Sequence, residues 1–190
     1  MSVTSEKLKL ENVRLSFAEI FVAKPFKPGE EKKRYQATYL LDPSDKAHAE
    51  QIKMIEAAGE KIGNEEWDGK IPKLKGRAYG YENDLEGKIY DGYEGMFWVK
   101  TSKGEEEGRV TVVDEQGAPL TADDNKVYNG CYVDATLTLW TQDNSWGKRI
   151  NGNLRAIKYR GPGDAFGRAP IDAEDEFGES SSDDGGFLDD

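Results

Sequence analysis

Residues 127–142 read VYNGCYVDATLTLWTQ, and this stretch decides the fold class. Every second residue from Cys131 to Leu139 is small or apolar, whereas the residues between them, from Tyr132 to Trp140, are polar or aromatic. Alternation with a period of two is typical of a β-strand that buries one face. The stretch therefore predicts a long strand whose inner face consists of Cys131, Val133, Ala135, Leu137 and Leu139.

Further strand-like segments lie on both sides of this stretch, separated by Gly, Asn and Asp turn signals. They cover residues 8–17, 34–41, 74–81, 96–102, 109–114 and 149–160. The first of them has Leu8, Leu10, Val13, Leu15 and Phe17 as its apolar set, with an irregularity at Glu11-Asn12 where the alternation breaks.

One amphipathic helix is predicted between the second and third strands. Asp42 can cap it and Pro43 suits its first position, while Ile52, Ile55 and Ile62 form an apolar stripe and Gly63 can end it. About seven strands and one helix predict a mainly β protein, a small and mostly antiparallel barrel with one packed helix.

The charge of the chain is divided unevenly. The 190 residues have a net charge of -11, but residues 171–190 contain nine acidic and no basic residues, which leaves 28 acidic against 26 basic residues before them. The tail is rich in Asp, Glu, Ser and Gly and has too few apolar residues to order itself. We therefore predict a near-neutral domain at residues 1–162 and a flexible acidic tail at residues 163–190.

Signatures of catalysis and of cofactor or metal binding are missing from the sequence. There is no phosphate loop, dinucleotide fingerprint or HExxH, and the single Cys131 and single His48 cannot form a multi-ligand zinc site. We expect a buried Cys131, an exposed or partly packed surface His48, no catalytic residue, no cofactor and no metal. No apolar run is long enough for a membrane helix or a signal peptide, so we expect no membrane association and a cytoplasmic location.

Aromatic and basic residues interleave on the predicted strands, which is how proteins hold single-stranded nucleic acid. Bases stack on the rings while Lys and Arg contact the phosphates. The candidate stacking residues are Trp98, Tyr132, Trp140, Trp146 and Tyr159, and the candidate phosphate contacts are Lys100, Arg149, Arg155, Lys158 and Arg160. The alternative for Tyr132 and Trp140 is that they pack beneath the helix or a long loop.

The acidic tail suggests two roles. A tethered polyanion competes with nucleic acid for a basic groove, and the tip Phe187-Leu188-Asp189-Asp190 offers an apolar pair flanked by carboxylates to a partner protein. The alternative is a tail that serves solubility alone.

Three segments carry a resemblance to a known family: LENVRLSFAEIFVAKPF at 10–26, RYQATYLLDPSD at 34–45 and VYNGCYVDATLTLW at 127–140. They resemble the phage-encoded single-stranded DNA-binding proteins of a family long catalogued as a domain of unknown function, which is similar to the replicative single-stranded DNA-binding protein of podophages. The resemblance covers roughly residues 7–160.

The resemblance implies an OB-fold core, sequence-tolerant binding of single-stranded DNA in replication, recombination and repair, residence in the cytoplasm of the infected bacterium, and an acidic tail that contacts replication or recombination proteins. Two features depart from the common pattern. Phe187 is not the last residue, and the helix is predicted between the second and third strands, where the common OB-fold has it between the third and fourth.

Other classes of function stay open. An acidic protein-binding module, such as a DNA mimic that inhibits a host nucleic-acid enzyme, would fit the net charge, although its carboxylates would have to lie on the folded body. A metal-dependent nuclease is a further alternative. A homodimer is predicted by analogy only.

Overall fold

The computed structural model describes residues 2–82 and 90–166. Eight strands and one α-helix occur in them: β1 Leu8–Pro25, β2 Lys33–Leu41, α1 Lys46–Glu66, β3 Gly76–Arg77, β4 Tyr79–Tyr81, β5 Phe97–Gly104, β6 Thr111–Val113, β7 Tyr132–Asn144 and β8 Gly147–Gly161. None of the helices described there is long and apolar enough to cross a membrane.

The five longer strands form a closed ring in the order β1-β2-β5-β8-β7 and back to β1. Every pairing in the ring is antiparallel except that of β5 with β8, which is parallel and consists of the pair Ser102 and Asn153. The prediction of a mainly β, barrel-like fold with one helix is confirmed, and α1 lies between the second and third strands of the ring as predicted.

The inner face of β7 is as predicted. Cys131, Val133, Ala135, Leu137 and Leu139 are all buried, and they join buried residues of β1, β2, β5, β8 and α1 in one core. Burial raises the pKa of the Cys131 thiol, which favours the protonated and unreactive form and agrees with a packing role.

The register of β1 with its neighbours shifts at three places, two of which bear on the sequence predictions. The first is the predicted one, since the register with β7 shifts between Leu10 and Val13, and Asn12 has a positive φ of 54°. The second lies between Ser16 and Glu19 in the register with β2, and it turns Phe17 out of the barrel. Sequence alternation wrongly placed Phe17 on the apolar face, because a single extra residue in a strand reverses the direction of the side chains beyond it.

Helix α1 begins later than predicted. Its N-cap is Asp45, whose side chain accepts a hydrogen bond from the backbone N–H of His48. Asp42 instead accepts hydrogen bonds from the backbone and hydroxyl of Ser44 in a local turn. Gly63 lies inside the helix, which continues to Glu66, and an added Cβ there would lie 2.8 Å from Cδ1 of Ile71, so a larger residue would require that side chain to shift.

The expectation of a surface His48 is wrong. The ring is buried, its Nδ1 accepts a hydrogen bond of 2.9 Å from the backbone N–H of Asp42, and its Nε2 lies 2.9 Å from the carbonyl oxygen of Asn12. An acceptor at Nδ1 places the proton on Nε2, which donates to Asn12. His48 thus joins the end of β2, the bulge of β1 and the start of α1.

Replacing His48 by Ala is expected to destabilise the protein by about 2–4 kcal/mol, because two part-buried hydrogen bonds are lost and the backbone groups of Asp42 and Asn12 lose these partners. Urea unfolding measures the change. Glu50→Ala, at an exposed position of the same helix, is the control and should leave the midpoint nearly unchanged. Equal midpoints for both variants would contradict the bridging role.

Candidate nucleic-acid interface

The outer face of β7 and β8 carries most of the predicted binding residues. Asp134 pairs with Lys158, Thr138 with Asn153, and Gln142 with Arg149, so their side chains line one surface of a two-stranded ribbon. Tyr132 and Trp140 of β7 lie on this same face and are half-buried. The neighbouring strand β1 adds Lys9 opposite Thr136.

A groove lies at the pairing of β5 with β8, which is the seam that closes the barrel. It encloses about 490 Å³ and is lined by Lys7, Ser102, Lys103, Glu107, Thr111, Thr136, Thr138, Asn153, Leu154, Arg155 and Ala156. Three cations and several hydroxyl and amide groups therefore line it against one carboxylate. Hydroxyl, amide and cationic groups are the donors that contact phosphate and sugar.

A cavity of about 450 Å³ beside α1 has a different character. Glu56 and Glu60 of the helix line it together with Arg77, Tyr79 and Tyr81. Its carboxylates disfavour phosphate, so the seam groove is the better candidate for a nucleic-acid backbone.

The tip of the β7–β8 hairpin presents an exposed aromatic ring on a hydrogen-bonded backbone. Trp146 is 76% exposed, while its backbone N–H donates to Asn144 Oδ1 at 2.9 Å and its carbonyl accepts from Lys75 Nζ at 3.4 Å. The Nε1 of Trp67 donates to Asp143 Oδ2 at 2.9 Å and ties the tip to the end of α1. These contacts fix the backbone of the tip, and the ring of Trp146 is left open to solvent.

At the opposite end of the β7–β8 ribbon, the positive charge of Arg160 is balanced by a carboxylate. Arg160 forms an ion pair of 3.1 Å with Asp134, whose other oxygen accepts from the backbone N–H of Asn12. Arg14 lies 5.8 Å from the ring centre of Tyr132. Arg160 is therefore a weaker candidate for a phosphate contact than Arg149 or Arg155.

Two of the predicted stacking residues are buried. Tyr159 is 8% exposed because it alternates with Lys158 and Arg160 and so faces the core. Trp98 is 6% exposed; it packs on Leu40 and Tyr93 and donates from Nε1 to the carbonyl of Tyr81. Neither ring has an open face for a base in this conformation, so neither belongs to the interface proposed below.

Trp98 is buried in a small cluster outside the main core. The ring does point away from the barrel axis, as alternation predicted, but it clusters with Leu40 and Tyr93, and Met96 and Phe166 pack against that cluster. Lys100 is exposed, with its Nζ 5.9 Å from the centre of the Trp98 ring. The predicted partner site at Phe187, Leu188, Asp189 and Asp190 lies outside the described residues.

Sequence reasoning missed part of the seam groove. Lys7, Lys103 and Ser102 were not among the candidates, because the groove exists only where Ser102 of β5 meets Asn153 of β8. The sequence showed that basic residues lie near them, but it did not show that β5 pairs with β8 and brings these residues together.

The ring order defines the class of fold. If the ring strands β1, β2, β5, β7 and β8 are numbered 1 to 5 along the chain, their order around the barrel is 1-2-3-5-4-1. A closed five-stranded barrel of this order is the OB-fold, a fold that binds oligonucleotides and oligosaccharides. The position of the helix, between the second and third strands, departs from the common arrangement.

The family model described as the single-stranded DNA-binding protein of Enterobacter phage Enc34 matches residues 6–188, and the chain belongs to this family. A putative protein p50 of Acyrthosiphon pisum secondary endosymbiont phage 1 is 34% identical over 182 residues, which is 92% of this chain and 94% of that protein. The resemblance inferred from the sequence is thereby confirmed.

Two solved structures share the fold. The single-stranded DNA-binding protein from bacteriophage Enc34 in complex with single-stranded DNA has a TM-score of 0.72 at 24% identity, over 85% of this chain and 89% of that one. The single-stranded DNA-binding protein gp2.5 of bacteriophage T7 has a TM-score of 0.54 at 17% identity, over 94% and 96% of the two chains.

Proposed function

We propose that this protein binds single-stranded DNA without regard to sequence and coats it during phage replication, recombination and repair, in the cytoplasm of the infected host. Membership of the family of phage single-stranded DNA-binding proteins, over residues 6–188, is the observation that carries the proposal. The activity of that family is binding, and we propose no catalytic step, cofactor or metal. Within the part of the chain that the structure describes, no group of three or more His, Cys, Asp or Glu could hold a metal ion.

The seam groove and the hairpin tip together supply what such binding needs. Lys7, Lys103 and Arg155 of the groove attract phosphates, and the exposed ring of Trp146 offers a stacking surface. A π face accepts any base, and phosphate contacts do not depend on sequence, so binding at these sites is sequence-tolerant. Arg149, Lys158 and Lys100, which lie on the outer surface of β8 and β5, extend the cationic surface.

The direct test is fluorescence anisotropy of a labelled single-stranded oligonucleotide, titrated at several salt concentrations and against duplex competitor. We expect preference for the single strand and a log–log salt slope of about -0.7 per phosphate contact. Absence of binding at low salt would overturn the proposal. It would also direct attention to the alternative, a protein-binding module or DNA mimic, which a host nucleic-acid enzyme would bind in place of DNA.

A nuclease is distinguished by a second simple assay. Labelled DNA incubated with the protein and magnesium or manganese should stay intact if the protein only binds it. A homodimer is also part of the proposal, and sedimentation velocity of the full chain measures it.

The acidic tail is proposed to compete with DNA and to recruit replication or recombination proteins. Removing residues 171–190 takes away nine carboxylates. If the tail competes for the cationic surface, the truncated protein should bind oligonucleotide more tightly than the full chain, and most clearly at low salt where the competition is strongest. Equal affinity of the two proteins across the salt series would contradict competition and leave the solubility role.

Replacing Trp146 by Ala is expected to weaken oligonucleotide binding by about 1–3 kcal/mol, the usual loss for one stacked base. The fold should be unaffected because the ring is 76% exposed. Anisotropy measures the affinity and circular dichroism checks the fold.

Tyr81→Ala is the matched control for that variant. Tyr81 is also exposed, but it lines the cavity beside Glu56, where a phosphate backbone is disfavoured. A loss of affinity that is equal in the two variants would show that the hairpin tip has no special part in binding.

A further inference from the structure

Phe17 has an unusual conformation for a bulky residue. Its φ is 46°, in the left-handed region, and its side chain is 46% exposed on the outside of the barrel. Residues other than glycine pay an energetic penalty for this backbone conformation, and such strain clusters at binding sites. A core-forming role does not explain it, because the bulge turns the ring away from the core.

The ring of Phe17 is nevertheless held in place. It meets Tyr90 edge to face with ring centres 5.0 Å apart and lies 6.1 Å from Tyr93. Tyr93 in turn donates a hydrogen bond of 3.0 Å to Ser16, and Gln36 donates one of 3.3 Å to the carbonyl of Phe17. Phe17 and Tyr90 therefore form a supported pair of exposed rings.

Cations flank the layer of aromatic residues on which this pair rests. Tyr93 belongs to the same apolar cluster as Trp98 and Phe166. Lys100 lies 5.9 Å from the ring centre of Trp98, and the guanidinium of Arg14 lies 4.1 Å from that of Phe166. Rings with an open face beside cations are the arrangement that binds bases of a single strand.

Two acidic residues lie on the loop that contains Tyr90 and Tyr93, and they determine which part of a nucleotide fits there. Asp91 and Glu94 flank Tyr90 and Tyr93 in sequence and are exposed. They disfavour a phosphate directly over the loop, whereas an uncharged base stacks without contact to them. The ring pair thus suits the base of a nucleotide, and Lys100 beside the aromatic layer suits a phosphate.

We propose that Phe17 and Tyr90 form a second stacking platform, which binds a nucleobase of single-stranded DNA on the outer face of β1. The platform rests on the proposed function. It is separate from the hairpin tip, since it belongs to β1 and to the loop before β5. A strand bound at both places would pass over more than one face of the barrel.

The test uses Phe17→Gly in the full chain. Glycine removes the ring and suits a positive φ, so the backbone is relieved while the stacking surface is lost. We expect binding of a single-stranded oligonucleotide to weaken about 5- to 150-fold, as for one stacked base. Phe17→Tyr keeps the ring and should retain the parent's affinity.

Asn12→Gly is the matched control for the backbone change. Asn12 lies on the same strand with a φ of 54° and has no ring, so its replacement should leave affinity unchanged. If Phe17→Gly does not fold, Phe17→Asn takes its place, because Asn tolerates a positive φ. Thermal unfolding of each variant shows that the protein measured is folded.

The outcomes separate this inference from the proposed function. If the parent binds and folded Phe17→Gly binds within about twofold of it, well short of the loss of one stacked base, the second platform is overturned while the proposed function stands. If the parent does not bind at all, the proposed function itself fails. If Phe17→Gly loses affinity and Phe17→Tyr and Asn12→Gly do not, the ring of Phe17 contacts the DNA.

Discussion

Replacing Lys7, Lys103 and Arg155 together by glutamine is expected to weaken single-stranded oligonucleotide binding about 100-fold at about 0.1 M salt and to reduce the log–log salt slope by about 2. All three side chains line the seam groove. Each phosphate that they neutralise releases counterions from the DNA, and three such contacts account for both effects. Glutamine keeps much of the side-chain stem, so packing changes little.

The control for this variant has the same change in net charge elsewhere on the molecule. Lys46, Lys53 and Lys61 are exposed on α1, and their replacement by glutamine should alter affinity far less. If both triple variants lose affinity equally, the effect comes from net charge and not from the groove. Unchanged affinity of the groove variant would place the DNA backbone elsewhere.

Replacing Gly152 by Ala is expected to destabilise the protein by about 3 kcal/mol. Gly152 is buried at the seam, where an added Cβ would lie well inside contact distance of the carbonyl oxygen of Lys100 and 3.3 Å from Cγ2 of Thr101. The first of these is backbone and cannot turn away, so β5 and β8 would have to separate. Urea unfolding measures the change in the free energy of unfolding.

Gly161→Ala is the matched control, because Gly161 ends the same strand and an added Cβ there meets nothing within 4 Å. We expect its stability to stay within about 0.5 kcal/mol of the parent, as for surface changes in general. Since the seam forms the floor of the groove, Gly152→Ala should also weaken DNA binding. A Gly152→Ala protein as stable as Gly161→Ala would show that the seam is not tightly closed.

The alternation of β7 shows what can be read from sequence about this fold. The burial of Cys131, Val133, Ala135, Leu137 and Leu139 follows from a local rule, since successive side chains of a strand point to opposite faces. The same rule correctly placed Arg149 and Lys158 outside the barrel. It also shows that Tyr159 cannot share a face with its two basic neighbours, although all three were candidates for DNA contact.

The rule fails where the strand is irregular or where another segment covers it. Phe17 is exposed because of a bulge, Trp98 is buried because it clusters with Leu40 and Tyr93, and His48 is buried because three elements meet there. A bulge reverses the face of the residues after it, and coverage depends on chain segments far away in sequence. Neither effect can be predicted from the local alternation of apolar and polar residues.

The sequence by itself determined the mainly β fold with one helix, the confinement of the acidic excess to the last twenty residues, and the family. Only the tertiary structure decided which aromatic and basic side chains share a surface. The seam groove arises from the meeting of Ser102 and Asn153, and the ring pair from the meeting of Phe17 and Tyr90. The physical reason is that side-chain direction is a local property of a strand, whereas barrel closure brings together residues that are distant along the chain.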